Sequence, residues 1–540
     1  MDRKIRVENL SGVSVNQYLE LQHGCPTKNC RPFTILFIKP YQPSTRMAHG
    51  PALGILTLIS ILRETFGDRV KPLFRDMKVY GEKPDEIAEL IKEHSPDVIA
   101  VSALNIEATA SCMIARLSKQ IDPSILTIIG GPYTLRQTES IFSESQFDWA
   151  FEGAADHSLP QALARHFSGL PLNNDIPGFS YRGLDNLIIH NNKQSLITDI
   201  DSIPIPAWDL HDFESHRKRD KARIITNLDE RPYAYLFTSR GCPYLCNYCH
   251  DIFTKRFIYQ SSLRIIQEMS LLHDTYGVKE FHFVDDIFNL HRRHAQEVLN
   301  AIAERWGKSL YLAFPNGLRG DILDKKTIDA MARAGTYNAT ISIETVTPRL
   351  QKLVEKHLDI DKAKKAIEEF DRQGIVVHGS FMYGFPTETI TEIKKTLRYA
   401  ITSPLLHAHF FAVVPQRGTP IYDMAMQENE KATIAMDSIE SDANDYNGDI
   451  SWYQLTYGYP LRRLLFLGML AFYFYPPRML RFLRFYGVKT FGGLFDLLSV
   501  LSVEKWQSMK KHPIKIISRY RPSITPPVVP VVPVVPVVKK

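Results

Sequence analysis

Short apolar runs and helical segments alternate in two separate trains along this chain, and this alternation restricts the fold more than any other feature. In the first train, FTILFI (33–38), VKPLF (70–74), DVIAVS (97–102) and ILTIIG (125–130) read as strands buried on both faces, because they lack the polar alternation of a half-exposed strand. Helical stretches at 52–66, 84–94 and 107–120 separate them, and a weaker strand, FDWAFEG, with a helix from His157 to His166 completes the unit. Strands and helices at this spacing predict a doubly wound sheet. The second train holds six candidate strands: YAYLFTS (233–239), EFHFVDD (280–286), SLYLAF (309–314), NATISIE (338–344), IVVHGSFMYG (375–384) and HAHFFAVV (407–414). Helical segments at 261–275, 291–306, 322–334, 360–373 and 390–401 lie between them. Such a series predicts a partial barrel, which places chemistry at the carboxyl ends of its strands.

The expected fold class is therefore α/β: an N-terminal Rossmann-like doubly wound domain, then a partial (β/α)6 TIM-type barrel, then a mainly α-helical C-terminal region. With 540 residues the chain exceeds one ordinary core. The expected boundaries are an N-terminal arm at 1–32, the first domain at 33–168, a connector at 169–232, the barrel at 233–420, the helical region at 421–520 and a tail at 521–540. The connector is rich in Pro, Asn and Asp, with a hairpin expected around 178–193. The tail ends in TPPVVPVVPVVPVVKK, whose prolines favour extended polyproline II.

A net charge of +6 is mild for this length and argues against a general nucleic-acid binder. No stretch reaches the roughly 18 apolar residues of a membrane span; the longest, Leu464 to Tyr475, stops at Pro476 and Pro477. The start, MDRKIRVENLSG, lacks the apolar core of a secretory leader, so the cytoplasm is the expected compartment.

Of the six cysteines, Cys242, Cys246 and Cys249 crowd into SRGCPYLCNYC, directly after the first barrel strand. That crowding suits a metal site better than a disulfide framework. Three soft thiolates can hold three irons of a cubane, which leaves the fourth iron open to a chelating amine and carboxylate. A zinc site would need a fourth ligand; His250 is available but awkwardly adjacent to Cys249. Three unconnected core cysteines fit poorly in a loop of Gly, Pro and Asn. Cys112 reads as helix packing, and Cys25 with Cys30 as a pair in a polar loop.

This cysteine spacing at this place in a partial barrel resembles the radical S-adenosylmethionine superfamily. The resemblance implies a [4Fe–4S] cluster on Cys242, Cys246 and Cys249 and a bound S-adenosylmethionine. It assigns Tyr248 to the adenine, Asp285 and Asp286 to the methionine amine, and Arg319 and Glu344 to the carboxylate and ribose. GSFMYGFPTET (379–389), with Gly384, would line the adenine. Each has a plainer reading as helix cap, surface residue or ion pair.

The first domain resembles the cobalamin-binding domain that precedes many such enzymes. Here the likeness rests on PALGILTLISILRE (51–64), Ser102-Ala103-Leu104, Gly130-Gly131-Pro132 and FEGAAD (151–156). Ser102, Leu104, Gly130 and Gly131 are thus expected at the cobalamin, since ligands bind beyond strand carboxyl ends and glycines allow close approach. The loop KPYQPSTRMAHG (39–50) lacks Asp-x-His-x-x-Gly, so a lower histidine ligand to cobalt is not expected.

Together the two resemblances imply reductive cleavage of S-adenosylmethionine and, with cobalamin, methylation of an unactivated carbon in a small-molecule or lipid-like substrate. The alternative is a cobalamin-dependent radical cyclase or oxidoreductase without methyl transfer. A reductase or a flavodoxin- or ferredoxin-type protein would supply electrons. The segment 461–489, with Arg462, Arg463, Arg478, Arg481 and Arg484 among apolar residues, suggests peripheral contact with the inner membrane face; helices packed on the barrel are the plainer expectation.

Overall fold

The computed structural model describes residues 27–41, 50–81, 86–135, 137–172, 175–183, 187–191, 199–219, 231–249, 253, 255–442 and 451–486. Cys25, His49, His250 and the Pro-Val tail lie outside them.

Five strands of the first unit run parallel: β1 (Phe33–Lys39), β2 (Val70–Asp76), β3 (Val98–Ser102), β4 (Leu126–Gly130) and β5 (Trp149–Phe151). Helices Leu53–Phe66, Ile87–His94, Ala108–Ile121 and Thr138–Glu144 join or flank them. Successive residues of β1 enter different cores: Ile35 and Phe37 pack with Leu62 and Phe66, Leu36 and Ile38 with Ile91 and Ile114. Helices on both faces are why the strand is apolar throughout. The hairpin β6 (Phe179–Arg182) and β7 (Ile188–His190) is not part of a separate connector. It pairs antiparallel with β5 and completes a sheet of order β2-β1-β3-β4-β5-β6-β7. The arm also differs from expectation: Cys30 is buried against Phe33 and Phe167 in this core, and Arg31 pairs with Asp97 at 3.0 Å.

The second unit contains β8 (Tyr233–Leu236), β9 (Ser239–Arg240), β10 (Ile258–Tyr259), β11 (Glu280–Phe283), β12 (Tyr311–Leu318), β13 (Thr336–Glu344), β14 (Val376–Tyr383) and β15 (His407–Ala412). Six are parallel, in the order β8-β11-β12-β13-β14-β15, while β9 and β10 form a small antiparallel ribbon. Phe281, Phe283, Leu312, Phe314, Ile341 and Phe381 pack in one core with apolar residues of the surrounding helices. The ribbon of β9 and β10 and the short helix Pro348–Leu353 after β13 were not expected from the sequence.

The C-terminal helices are Pro420–Asp442, kinked at Asn429, then Trp452–Tyr457, Leu461–Tyr473 and Pro476–Tyr486. They pack on the barrel, and two of the five arginines suggested for a lipid surface point inward. Arg478 is 2% exposed and donates to the carbonyls of Ala400, Ser403, Leu405 and Phe472. Arg481 reaches Pro404 O and Asp371. The two guanidinium forks thus tie carbonyls of helices Ile390–Thr402 and Leu461–Tyr473 to those of the loop that leads into β15. Among the described residues no helix is long and apolar enough to cross a membrane.

The two units share an apolar contact. Leu53 and Leu56 of the first helix join Trp208, Ile265 and Phe281 in the barrel core, and Ala207 N–H donates to Leu56 O at 3.0 Å. Gly50 presses so closely on the first barrel strand that a methyl group there would meet Tyr235 Cε2 at 1.7 Å.

Candidate active site

The thiol loop leaves β8 through Thr238, Ser239 and Arg240. Its stem is pinned by Asp285, just beyond β11. The Asp285 carboxylate accepts from Thr238 N–H at 2.8 Å, Thr238 Oγ1 at 3.0 Å, Ser239 Oγ at 2.7 Å and Ser239 N–H. Burial still pushes its pKa up to about 6, against the pull of these donors. Asp285, expected at the methionine amine of S-adenosylmethionine, is 2% exposed in this structure, and both its oxygens accept from the loop stem. Its neighbour Asp286 is exposed and lies close enough to Cys242 to act on its thiol.

Cys242 and Cys246 are half-buried and Cys249 is exposed; Cys249 N–H donates to Cys246 O at 3.1 Å, closing a tight turn. None of the described cysteines is in a disulfide. Burial raises the Cys242 thiol pKa, and the charges of Asp286 and Cys246 raise it further. Iron would reverse this, since a coordinated thiol is deprotonated outright. As a donor set, three soft thiols in one loop suit a cluster that keeps one iron open and fall one ligand short of a closed zinc site; among the described residues no three metal-ligating side chains already converge.

Arg319, just after β12, was expected at a bound carboxylate. It instead braces the loop from below: its guanidinium stacks on Tyr244 at 3.8 Å and donates to Asp321 at 2.9 Å, Lys356 O at 2.9 Å and His357 O at 3.1 Å. Its Nε and Nη2 are engaged within the protein, which gives it a supporting role beneath the loop.

Glu344 ends β13 with φ +61°, a backbone conformation that non-glycine residues rarely hold. It is buried, receives Lys356 Nζ at 3.0 Å, and its charge acts on Tyr248. Strain of this kind persists where the surroundings over-determine it, as at ligand clamps. Tyr248 packs against Phe385 with ring centroids 6.1 Å apart, and burial holds its phenol well above the ordinary value. Cys246, Tyr248, Glu344, Lys356 and Phe385 therefore border one region at the strand ends. Gly384 stands with φ +88°, and its Cα faces Tyr453 and Leu461, which a side chain would strike within 3 Å. Its N–H donates to Glu388 at 2.6 Å.

In the first unit, the order β2-β1-β3-β4-β5 places its switch point between β1 and β3, the usual crevice for a ligand. A buried Lys39–Glu107 ion pair spans that crevice, and Glu107 also accepts Leu104 N–H at 2.8 Å. The turns after β3 and β4 are stitched together: Ala103 N–H donates to Gly130 O at 3.0 Å, and Tyr133 N–H to Ala103 O at 3.0 Å. Gly131 has φ +88°, and a Cβ there would sit 2.8 Å from Ala103 O and 2.9 Å from Ser102 Oγ. A Cβ at Gly130 would meet only Phe151 O at 3.9 Å, and Leu104 is 40% exposed. Ser102, Leu104, Gly130 and Gly131 thus come together in the turns at the carboxyl end of the sheet, where exposed Leu104 and glycine backbone could receive the nucleotide tail of a cobalamin. Cys112, on helix Ala108–Ile121, is half-buried beside Tyr133.

The two regions meet. Helix Pro420–Asp442 of the second unit leans on Asn105–Glu107 and on helix Ala108–Ile121 of the first. Sequence reasoning missed Lys356, the Tyr244–Arg319 stack and the residues that join the units, because each depends on partners far away in the chain.

Residues 236–400 match the family model for the radical SAM superfamily, and residues 45–163 match that for the B12 binding domain. An uncharacterized methyltransferase of Pyrococcus horikoshii, PH0819, is 28% identical over 389 residues, 71% of this chain and 80% of that protein. The cytidylyl-2-hydroxyethylphosphonate methyltransferase of Streptomyces wedmorensis is 26% identical over 372 residues, 63% of this chain and 69% of its own. Among solved structures, the radical S-adenosylmethionine methyltransferase TsrM of Kitasatospora setae, with cobalamin and a [4Fe-4S] cluster bound, superposes with a TM-score of 0.59. The two share 17% identity across 74% of this chain and 75% of that one, a likeness of fold. A cobalamin-type sheet and a three-thiol barrel loop in one chain, each matched by its own family model, place this protein among the cobalamin-binding radical S-adenosylmethionine enzymes.

Proposed function

We propose that the protein is a cobalamin-dependent radical methyltransferase that acts on an unactivated carbon of a small molecule. The observation that carries this reading is a glycine-turned sheet and a three-thiol barrel loop in one chain, their units held together by helix Pro420–Asp442 and by the Asp156–Arg240 ion pair. Two relatives named as methyltransferases, at 28% and 26% identity, support methyl transfer over cyclisation, since relatives named as anaerobic magnesium-protoporphyrin IX monomethyl ester cyclases match at 22% or less.

In this reading Cys242, Cys246 and Cys249 hold the cluster. Tyr248 and Phe385 flank the adenine of S-adenosylmethionine, Asp286 receives its amine, and Lys356, held by Glu344, faces its carboxylate. Gly130, Gly131, Ser102 and Leu104 cradle the cobalamin tail. The cluster supplies one electron to S-adenosylmethionine, and cobalamin supplies the methyl carrier. The protein orients both and excludes water between its units. A ferredoxin- or flavodoxin-type donor delivers the electron in a reducing cytoplasm.

The test is anaerobic reconstitution of the full chain with iron, sulfide and cobalamin, followed by metal analysis, absorbance spectra and assay of 5′-deoxyadenosine and S-adenosylhomocysteine. The expected result is iron and cobalt in the same protein and both nucleosides in turnover. Cys246→Ala should lose the cluster absorbance and 5′-deoxyadenosine. Stoichiometric zinc in place of iron, or nucleoside formation that survives loss of all three cysteines, would refute the reading; 5′-deoxyadenosine without S-adenosylhomocysteine would redirect it to a cyclase.

A further inference from the structure

Arg240 stands two residues before Cys242, on β9. Its guanidinium donates to both carboxylate oxygens of Asp156, at 2.9 and 3.2 Å, and the two side chains are only 14% and 6% exposed. Asp156 belongs to the other unit: it closes FEGAAD, the segment that leaves β5 at the same sheet edge as Gly130 and Gly131. The guanidinium also lies over the Phe253 ring at 5.2 Å.

A buried ion pair is weak evidence for stability, because desolvation offsets most of its attraction. A fork on a carboxylate does fix both separation and orientation, which a purely apolar contact leaves free to slide. The neighbour of Arg240, Ser239, is held by Asp285 of the barrel. The stem of the thiol loop is thus gripped from two sides, by its own barrel through Ser239 and by the first sheet through Arg240. Between the second grip and Cys242 stands only Gly241.

We propose that the Asp156–Arg240 pair is a positioning device that sets the distance and orientation between the cobalamin-binding sheet edge and the cluster loop. Neither residue touches a reacting atom in this account; both act through the loop they hold. The inference rests on the functional reading above for what the two sites carry, but the mechanical link stands on the ion pair itself.

Two measurements on the full chain test it. In protein without either cofactor, hydrogen exchange of the 239–246 amides should speed up by roughly tenfold or more in Asp156→Asn, because the loop stem loses one of its two grips. In protein holding both cofactors, electron paramagnetic resonance reads the magnetic coupling between cob(II)alamin and the reduced cluster. That coupling should weaken and broaden in Asp156→Asn and recover in part in Asp156→Glu, which keeps the charge. If Asp156→Asn does not fold, the paired exchange Asp156→Arg with Arg240→Asp takes its place and should restore native exchange rates that Arg240→Asp alone does not have. Loop exchange and magnetic coupling that both stay native in Asp156→Asn would overturn the proposal. The exchange arm needs no cofactor, so its outcome is independent of whether the protein proves to bind iron and cobalamin.

Discussion

Glu388 should make this protein measurably less stable as pH rises through the neutral range. Its carboxyl lies in the turn after β14, where Oε2 accepts Gly384 N–H at 2.6 Å and Phe385 N–H at 3.1 Å. Oε1 is buried with no hydrogen-bond partner among the described residues. Burial pushes the pKa from an ordinary 4.5 to about 8, against the pull of the two N–H donors. A group whose pKa is raised by folding contributes stability that is fully present below its unfolded value, and that contribution is lost as pH rises through the folded value. For Glu388 the window runs from about pH 4.5 to about pH 8, and the loss between pH 5 and pH 8 is about 3–4 kcal/mol. Glu388→Gln keeps an oxygen for the two N–H groups and removes the titration. Denaturant unfolding of both proteins at a series of pH values cancels every other titrating group in the difference. Wild type minus variant should fall by about 3–4 kcal/mol from pH 5 to pH 8 and then level off. A difference that changes by less than about 1 kcal/mol over that range would show that the carboxyl is ionised throughout, and the burial argument would fail.

Two further perturbations bear on the packing that carries the sites. Gly131→Ala places a methyl 2.8 Å from Ala103 O on a backbone with φ +88°, so it should cost roughly 2–4 kcal/mol and weaken cobalamin binding in an absorbance titration; native affinity would show that the turn does not cradle the ligand. Arg478→Met strips the donors from four carbonyls and should lower stability by about 3–5 kcal/mol, with hydrogen exchange rising first in helices Leu461–Tyr473 and Pro476–Tyr486. Unchanged exchange there would refute the anchoring role.

What the linear chain determined was everything carried by short windows. The strand runs at 33–38 and 97–102 and the helices between them were legible because burial on both faces forces apolar runs of strand length. Cys242, Cys246 and Cys249 were legible because a cluster's ligands can share one loop. Only the tertiary structure could separate Asp285 from Asp286, identical neighbours in sequence. One turns inward because Thr238 and Ser239 offer four donors there, and the other stays at the surface near Cys242. The same holds for Arg319 and Arg478, whose charges suggested ligand and lipid but whose guanidinium groups are engaged by carbonyls and a stacked ring from other parts of the chain. Asp156 and Arg240 lie 84 residues apart, and no periodicity links them. Local pattern reports which face of an element is buried; which buried polar group meets which is decided only when distant segments exclude water from the space between them.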